Sequence, residues 1–259
     1  MNFKKRENNF LVTKIKKRRK LETLIVIRYP NLNDPFFYNI FRARVHRLFC
    51  GIFLILRARR NGSIMTIRPQ KRYPTIACCG LDCGLCPRYY TEGMSKCPGC
   101  AGPAFFEKHP PCAKITCCVT GRGLEVCGEC DDFPCAEKFG SWMSDGVQYD
   151  SFLTYQRILN NLELVREQGV ERYVQLQKTR IDLLETMLKS YNDGRSKSYY
   201  CIAAILLRTE DIKVALEETK KKIETIALDD YKTRAKILKI LLKEIAMKQG
   251  IELKLRKKR

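Results

Sequence analysis

Eleven cysteines lie between Cys79 and Cys135, and their spacing is that of metal ligands. They read Cys79-x3-Cys83-x2-Cys86, Cys97-x2-Cys100, Cys112, Cys117 and Cys118, then Cys127-x2-Cys130-x4-Cys135. A two-residue spacer lets both thiolates of a pair reach one ion from a tight turn, so recurring C-x-x-C pairs point to four-coordinate thiolate sites. Cys83, Cys86, Cys97 and Cys100 form a C-x2-C-x10-C-x2-C unit close to a zinc-ribbon or knuckle pattern. The thiols from Cys112 to Cys135 are expected to fill a second site, and Cys79 could replace one member of the first. A cross-braced arrangement, in which alternate pairs share an ion, fits the same spacings.

Zinc is the expected metal, with an iron–sulfur cluster as the alternative, because four thiolates serve both. Cys79-x3-Cys83-x2-Cys86 also matches the cluster motif of radical S-adenosylmethionine enzymes. Leu85 stands where those enzymes carry an aromatic residue, however, and the rest of the chain reads as helix instead of alternating strands and helices. His46 and His109 are the two histidines, so the ligands are expected to be almost entirely thiolate. His109, ahead of Pro110-Pro111-Cys112, is the minor candidate for a mixed site. Cys78 adds a vicinal pair with Cys79, whereas Cys50 and Cys201 read as ordinary buried thiols.

The motifs Cys79-Gly-Leu-Asp-Cys83-Gly-Leu-Cys86 with Tyr89, Cys97-Pro-Gly-Cys100, Cys112, Cys117-Cys118, and Cys127-Gly-Glu-Cys130-Asp-Asp-Phe-Pro-Cys135 carry a family resemblance. In order and spacing, residues 76–140 resemble the prokaryotic cysteine-rich family catalogued as domain of unknown function 3795. The resemblance implies a metal-binding module with no assigned reaction.

These ligands need a scaffold. The chain has 259 residues, 45% of them hydrophobic, and a formal net charge of +21. Residues 1–64 hold 16 Lys and Arg against 3 Asp and Glu, so most of the excess lies in a quarter of the chain. That segment lacks a sustained helical or strand period. It reads as an extension ahead of a start at Met65, with a basic arm for nucleic acid or anionic membrane as the competing reading. Its first thirty residues are too charged for a signal peptide, and the apolar stretch Leu48–Leu56 is far shorter than a membrane span of about 20 residues. A cytoplasmic location with reduced, metal-ready thiols follows as the expectation.

Residues 66–137, rich in Gly and Pro, predict a small irregular cysteine-rich metal-binding module with too few apolar residues to fold alone. Residues 138–259 predict an all-α C-terminal helical bundle with a basic tail. One helix is expected through Phe152, Tyr155, Leu159, Leu162 and Val165 up to Gly169, and a second from Val170 to Leu188, ended by Asn192-Asp193-Gly194. A third, apolar all round, runs from Tyr199 to Leu207. A fourth is capped by Thr209, with Glu217/Lys221 and Glu218/Lys222 as i,i+4 pairs. The fifth starts at Asp229 or Asp230 and ends before Gly250.

Among the remaining polar residues, Asp82, Glu129, Asp131 and Asp132 read as solvated loop carboxylates, with a proton relay or second-shell role as the alternative. Phe105, Phe106 and Phe133 read as a miniature core. Gly194–Ser198 opens a helix beside Arg195 and Lys197, a minor candidate for an anion site. The Arg256–Arg259 tail has charge for phosphate but no interleaved aromatics, so nucleic-acid binding through the basic termini should be weak and salt-sensitive. No acid, base or nucleophile constellation appears. The sequence therefore predicts a binding or regulatory module with structural zinc and a protein partner. An iron–sulfur redox or accessory protein is the alternative.

Overall fold

The computed structural model describes residues 11–15, 23–27, 70–146 and 148–257. The chain divides into two compact units, Met1–Ile67 and Arg68–Arg259. In the first unit, β1 (Leu11–Ile15) pairs antiparallel with β2 (Thr23–Ile27), Leu11 opposite Ile27 and Thr13 opposite Ile25. The sequence shows no sustained period here, but the β-branched content of both segments suits a ladder. Met65, Cys50 and the remainder of the expected extension lie outside the described residues.

In the second unit the described regular structure is helical. Residues 70–135 form loops and single turns, among them α1 (Phe105–Lys108) and α2 (Ala113–Ile115), which runs on into a π-helical turn, Thr116–Gly121. Six longer helices follow: α3 (Ala136–Ser144), α4 (Ile158–Gln168), α5 (Val170–Tyr191), α6 (Lys197–Leu206), α7 (Thr209–Lys222) and α8 (Tyr231–Lys248). Among the described residues, no helix is long and apolar enough to cross a membrane.

The expected first helix starts late. Phe152 is 59% exposed and Arg88 stacks on its ring, whereas helical structure begins at Ile158. The cause is Asp150, whose carboxylate accepts the amides of Tyr155 and Arg256 and ion-pairs with the Arg256 guanidinium at 2.7 Å. These bonds hold residues 150–156 in a turn and tie the C-terminal segment down. Helix α3 is an element that the periodicity did not reveal. Its Phe139 packs edge-on to Phe133 and Trp142, and Lys114 lies over the Trp142 ring at 4.1 Å.

Three apolar cores hold this unit together. The largest gathers Leu184, Met187, Tyr200, Ile205, Ile212, Leu238 and Leu242 from α5–α8, and takes in Leu85 and Cys86 from the cysteine loop. A second joins Ile76, Val126 and Phe133 to Phe139, Ile158 and Leu162. The third, Ala77, Cys78, Cys100, Ala101, Phe105, Ile115, Cys118 and Val119, is small and rich in sulfur. Leu81 touches all three. The cysteine segment thus buries its few apolar side chains against the helices, which supply area it lacks by itself.

Helix α6 is buried nearly all round, and its C-terminal carbonyls need partners. Arg180 donates to Ala204 O and Leu207 O at 2.7 Å each, and Arg157 donates to Ile205 O at 3.2 Å. Cations at a helix C-terminus also complement its dipole. At the next junction Thr209 proves to be the first helical residue and not the cap, its hydroxyl donating to Glu210. Helix α8 is capped by Asp230, which accepts from Thr233 N. On α7, Glu217 pairs with Lys220 one turn away instead of with Lys221.

Two expected outcomes test this packing. A Cβ on Gly128 would sit 2.4 Å from Leu162 O, so Gly128→Ala should cost about 2 kcal/mol or more, against about 1 kcal/mol for Gly146→Ala, whose Cβ meets nothing. Denaturant midpoints will compare them. The second concerns Asp193, held down to about 2 by the Ser196 hydroxyl, the Arg195 amide and Lys239. A depressed carboxyl contributes stability above its unfolded value, near 3.8, and loses it as pH falls through 2. Asp193→Asn should therefore cost about 1–2 kcal/mol at neutral pH and less than about 0.5 kcal/mol near pH 2, as read by urea titration at both.

Candidate functional site

The loop from Cys79 to Cys86 is set by its backbone and by one carboxylate. Gly80 has φ +88°, and a Cβ there would come within 2.6 Å of Ile158 O, so only glycine lets the loop lie on α4. Gly84 N donates to Thr75 O at 2.7 Å, and Cys83–Leu85 closes a 3-10 turn. Asp82, expected to be solvated, is 5% exposed. Its carboxylate accepts Asn161 Nδ2 from α4 at 2.9 Å, and Gln177 Nε2 (2.9 Å) and the Tyr173 hydroxyl from α5. Asn161 also donates to Gly80 O, and Gln177 to Thr75 O. Burial first, and then the Asp82 charge, hold the Tyr173 phenol well above its usual range. The solvated reading fails because these donors sit 79 to 95 residues away in sequence.

A first group of thiols surrounds this loop. Cys83 lies among Cys79, Cys86, Cys97 and Cys100: burial and then those four neighbours raise its pKa well above the ordinary thiol. Burial, followed by Cys100, raises Cys79 to about 11, with Cys112 adding to it. Cys97 Sγ is 3.3 Å from His109 Nε2, and the His109 ring stacks on Phe105 at 4.3 Å. Burial and then the cations Arg88 and Lys108 lower the His109 pKa.

A chain of sulfurs leads from this group to a second. Cys100 Sγ is 3.9 Å from Cys78 Sγ, and Cys78 in turn contacts Cys118, which contacts Cys127. The bond that Cys100 donates to Cys78 is the main cause that pushes Cys100 up, ahead of burial, and Cys127 is the main cause for Cys118. Buried Lys71, which donates to Ile76 O, eases the cost of negative charge on Cys78, Cys100 and Cys118. Beyond this chain, Cys117, Cys118, Cys127, Cys130 and Cys135 line a cavity of about 30 Å³ with Lys114, Arg122 and Lys138. Arg122 pairs with Asp132 at 2.5 Å.

All eleven predicted thiols are free of disulfides. Among the described residues no three His, Cys, Asp or Glu side chains converge as a ready ligand set. One sulfur–sulfur contact comes near ligand spacing. Zn–S bonds of about 2.3 Å in a tetrahedron place sulfurs about 3.8 Å apart, close to the Cys78–Cys100 contact. Cys100 thus faces Cys78, outside the expected four-cysteine unit, and Cys86 packs into the main core beside Cys201.

Other candidates resolve differently. Ahead of α6, Asp193 itself takes the Arg195 amide and the Ser196 hydroxyl, which fills the expected anion position with a carboxylate. Arg256 of the basic tail is engaged by Asp150. Glu129 folds back on the amides of Glu125 and Val126. Lys71, Asn161, Tyr173 and Gln177 were missed. The spacing of Tyr173 and Gln177, i and i+4 on the apolar face of α5, was the one available signal.

Comparison of the chain with protein-family models, with curated proteins and with solved structures finds no match.

Removing the Asp82 carboxylate leaves three buried donors unpaired. Asp82→Ala should cost about 3 kcal/mol in chemical denaturation, whereas Asp131→Ala, at an exposed position, should change stability by less than about 0.5 kcal/mol.

Proposed function

We propose that the chain is a metal-binding protein in which the thiols between Cys79 and Cys135 hold structural zinc, making residues 70–135 a binding or regulatory module on a helical scaffold. The observation that carries this reading is the crowding of free thiols, with Cys100 Sγ 3.9 Å from Cys78 Sγ and five cysteines around one cavity. Several thiolates cannot share a buried space without a cation, and a divalent ion removes that penalty by displacing the protons. The small sulfur-rich core, which lacks apolar area, gives such an ion a folding role. The motif resemblance to the domain of unknown function 3795 family points the same way. Thiols that stay reduced to bind metal suit the cytoplasm.

In this reading Cys79, Cys83, Cys86, Cys97, Cys100 and Cys112 supply the first set of ligands, and Cys117, Cys118, Cys127, Cys130 and Cys135 the second. The chain's own part is to draw the sulfurs together from loops pinned by Asp82 and Lys71, and to exclude water with Phe105, Phe133 and Phe139. A closed four-thiolate site would be structural, because it leaves no open coordination position.

The cavity beside Cys117, Cys127, Cys130 and Cys135 favours an iron–sulfur cluster as the second reading. Five cysteines line it, and Arg122, Lys114 and Lys138 would balance the charge of a thiolate-bound cluster. Nucleic-acid contact draws less support, since Asp150 holds Arg256.

Protein purified without oxygen should be colourless and carry about one or two zinc ions per chain, with no acid-labile sulfide. Cys130→Ser should lower the metal content, and Cys201→Ser should leave it unchanged. Brown protein with iron and sulfide would establish the cluster reading. Protein that carries no metal, and whose melting temperature is the same with zinc or with chelator, would sink both.

A further inference from the structure

We infer that Cys78 and Cys100 are a site of reversible oxidation, which closes into a disulfide when the chain meets a peroxide. The pairing stands on the placement of the two thiols and requires no bound metal. Cys100 Sγ donates to Cys78 Sγ at 3.9 Å. A disulfide needs about 2.05 Å, so the sulfurs must close by about 2 Å, which rotation about the two Cα–Cβ bonds can supply. Both thiols are free, and both lie in the small sulfur-rich core.

The segments that carry the two thiols are held against each other. Cys100 N donates to Pro74 O and Cys127 N to Cys78 O, each at 2.8 Å. Lys71 joins both sides: its amide donates to Ala101 O at 3.1 Å, and its ammonium group to Ile76 O. A Cβ on Gly99 would lie 2.4 Å from Pro74 O, so the turn before Cys100 presses on the strand of chain that leads to Cys78. Other partners suit Cys78 less well. Cys79 is its neighbour in sequence, and consecutive Cα atoms, about 3.8 Å apart, are closer than the about 4.4 Å that a bridge needs. Cys118 Sγ donates to Leu124 O at 3.4 Å.

Hydrogen peroxide is the oxidant. Cys100 is 6% exposed against 1% for Cys78, so it is the sulfur that peroxide reaches first. The O–O bond breaks, one oxygen passes to the Cys100 sulfur to give a sulfenic acid, and the other leaves as water. The Cys78 sulfur then displaces the sulfenic hydroxyl, which takes up the Cys78 proton and departs as a second water while the S–S bond forms. The two thiols are thereby oxidised by two electrons and one peroxide is reduced to two waters. In a reducing compartment such a bond is transient, because thiols of the glutathione class reopen it by exchange. On the metal-binding reading above, the bond would also take Cys100 out of the first ligand set.

The full chain as purified, treated with hydrogen peroxide, alkylated and digested for mass spectrometry, tests the pairing. The wild type should yield peptides joined through Cys78 and Cys100, and dithiothreitol should return both cysteines to alkylation. Cys118→Ser should keep this link, and Cys78→Ser should abolish it. If Cys78 or Cys100 joins another cysteine instead, or if both are still alkylated once the other thiols are oxidised, the pairing is wrong. Should a variant misfold, the wild-type map still decides. Zinc measured in the same samples bears on the metal-binding reading alone: a chain that carries no metal and still forms the link leaves the pairing standing and removes that reading.

Discussion

The Asp82 carboxylate, buried and bonded to Asn161, Tyr173 and Gln177, is the interaction on which the cysteine loop depends. A carboxylate taken out of water costs several kcal/mol unless donors replace the solvent. Here the donors come from α4 and α5, so the loop can be formed only where those helices present them. Asp82 stands between Cys79 and Cys83, and the same side chains bind Gly80 O and Thr75 O. The positions of these thiols are thereby slaved to the helical scaffold. The scaffold is reciprocal, since Leu85 and Cys86 complete its main core.

A second constraint is charge. The thiols are crowded enough that Cys79, Cys83 and Cys100 are made harder to ionise by burial and by the thiols around them, and Lys71 offsets this for Cys78, Cys100 and Cys118. Neutral thiols pack as small apolar groups, which is how Cys78, Cys100 and Cys118 serve the third core. The same sulfurs, once deprotonated, are ligands. One set of residues thus has two uses, core filling and metal binding, with the proton as the difference between them.

The helices were legible to the extent that local pattern decides them. Val170–Tyr191 and Lys197–Leu206 follow the apolar periodicity closely, because their buried faces repeat with the helix turn. Phe152 carried the right spacing and still failed, as Asp150 captured the Tyr155 amide and held the chain in a turn. Helix α3 went unseen because its apolar contacts are aromatic and few, and they face Phe133 and Lys114 from elsewhere in the chain. The anion position ahead of α6 was lost to a carboxylate two residues upstream, a competition that spacing does not express.

By itself the sequence determined the chemistry on offer: eleven thiols in paired spacing, almost no histidine, and helical periodicity within residues 138–259. Ligand type and turn spacing are local properties, readable along the chain. The tertiary structure alone decided which thiols meet. It turned Cys100 towards Cys78, set His109 against Cys97, and gathered Cys117, Cys127, Cys130 and Cys135 around one cavity. It also took Asp82 from an expected loop surface into the interior. Such meetings depend on how loops pack over helices α4 and α5, where hydrogen-bond donors far away in sequence outweigh the spacing of neighbours.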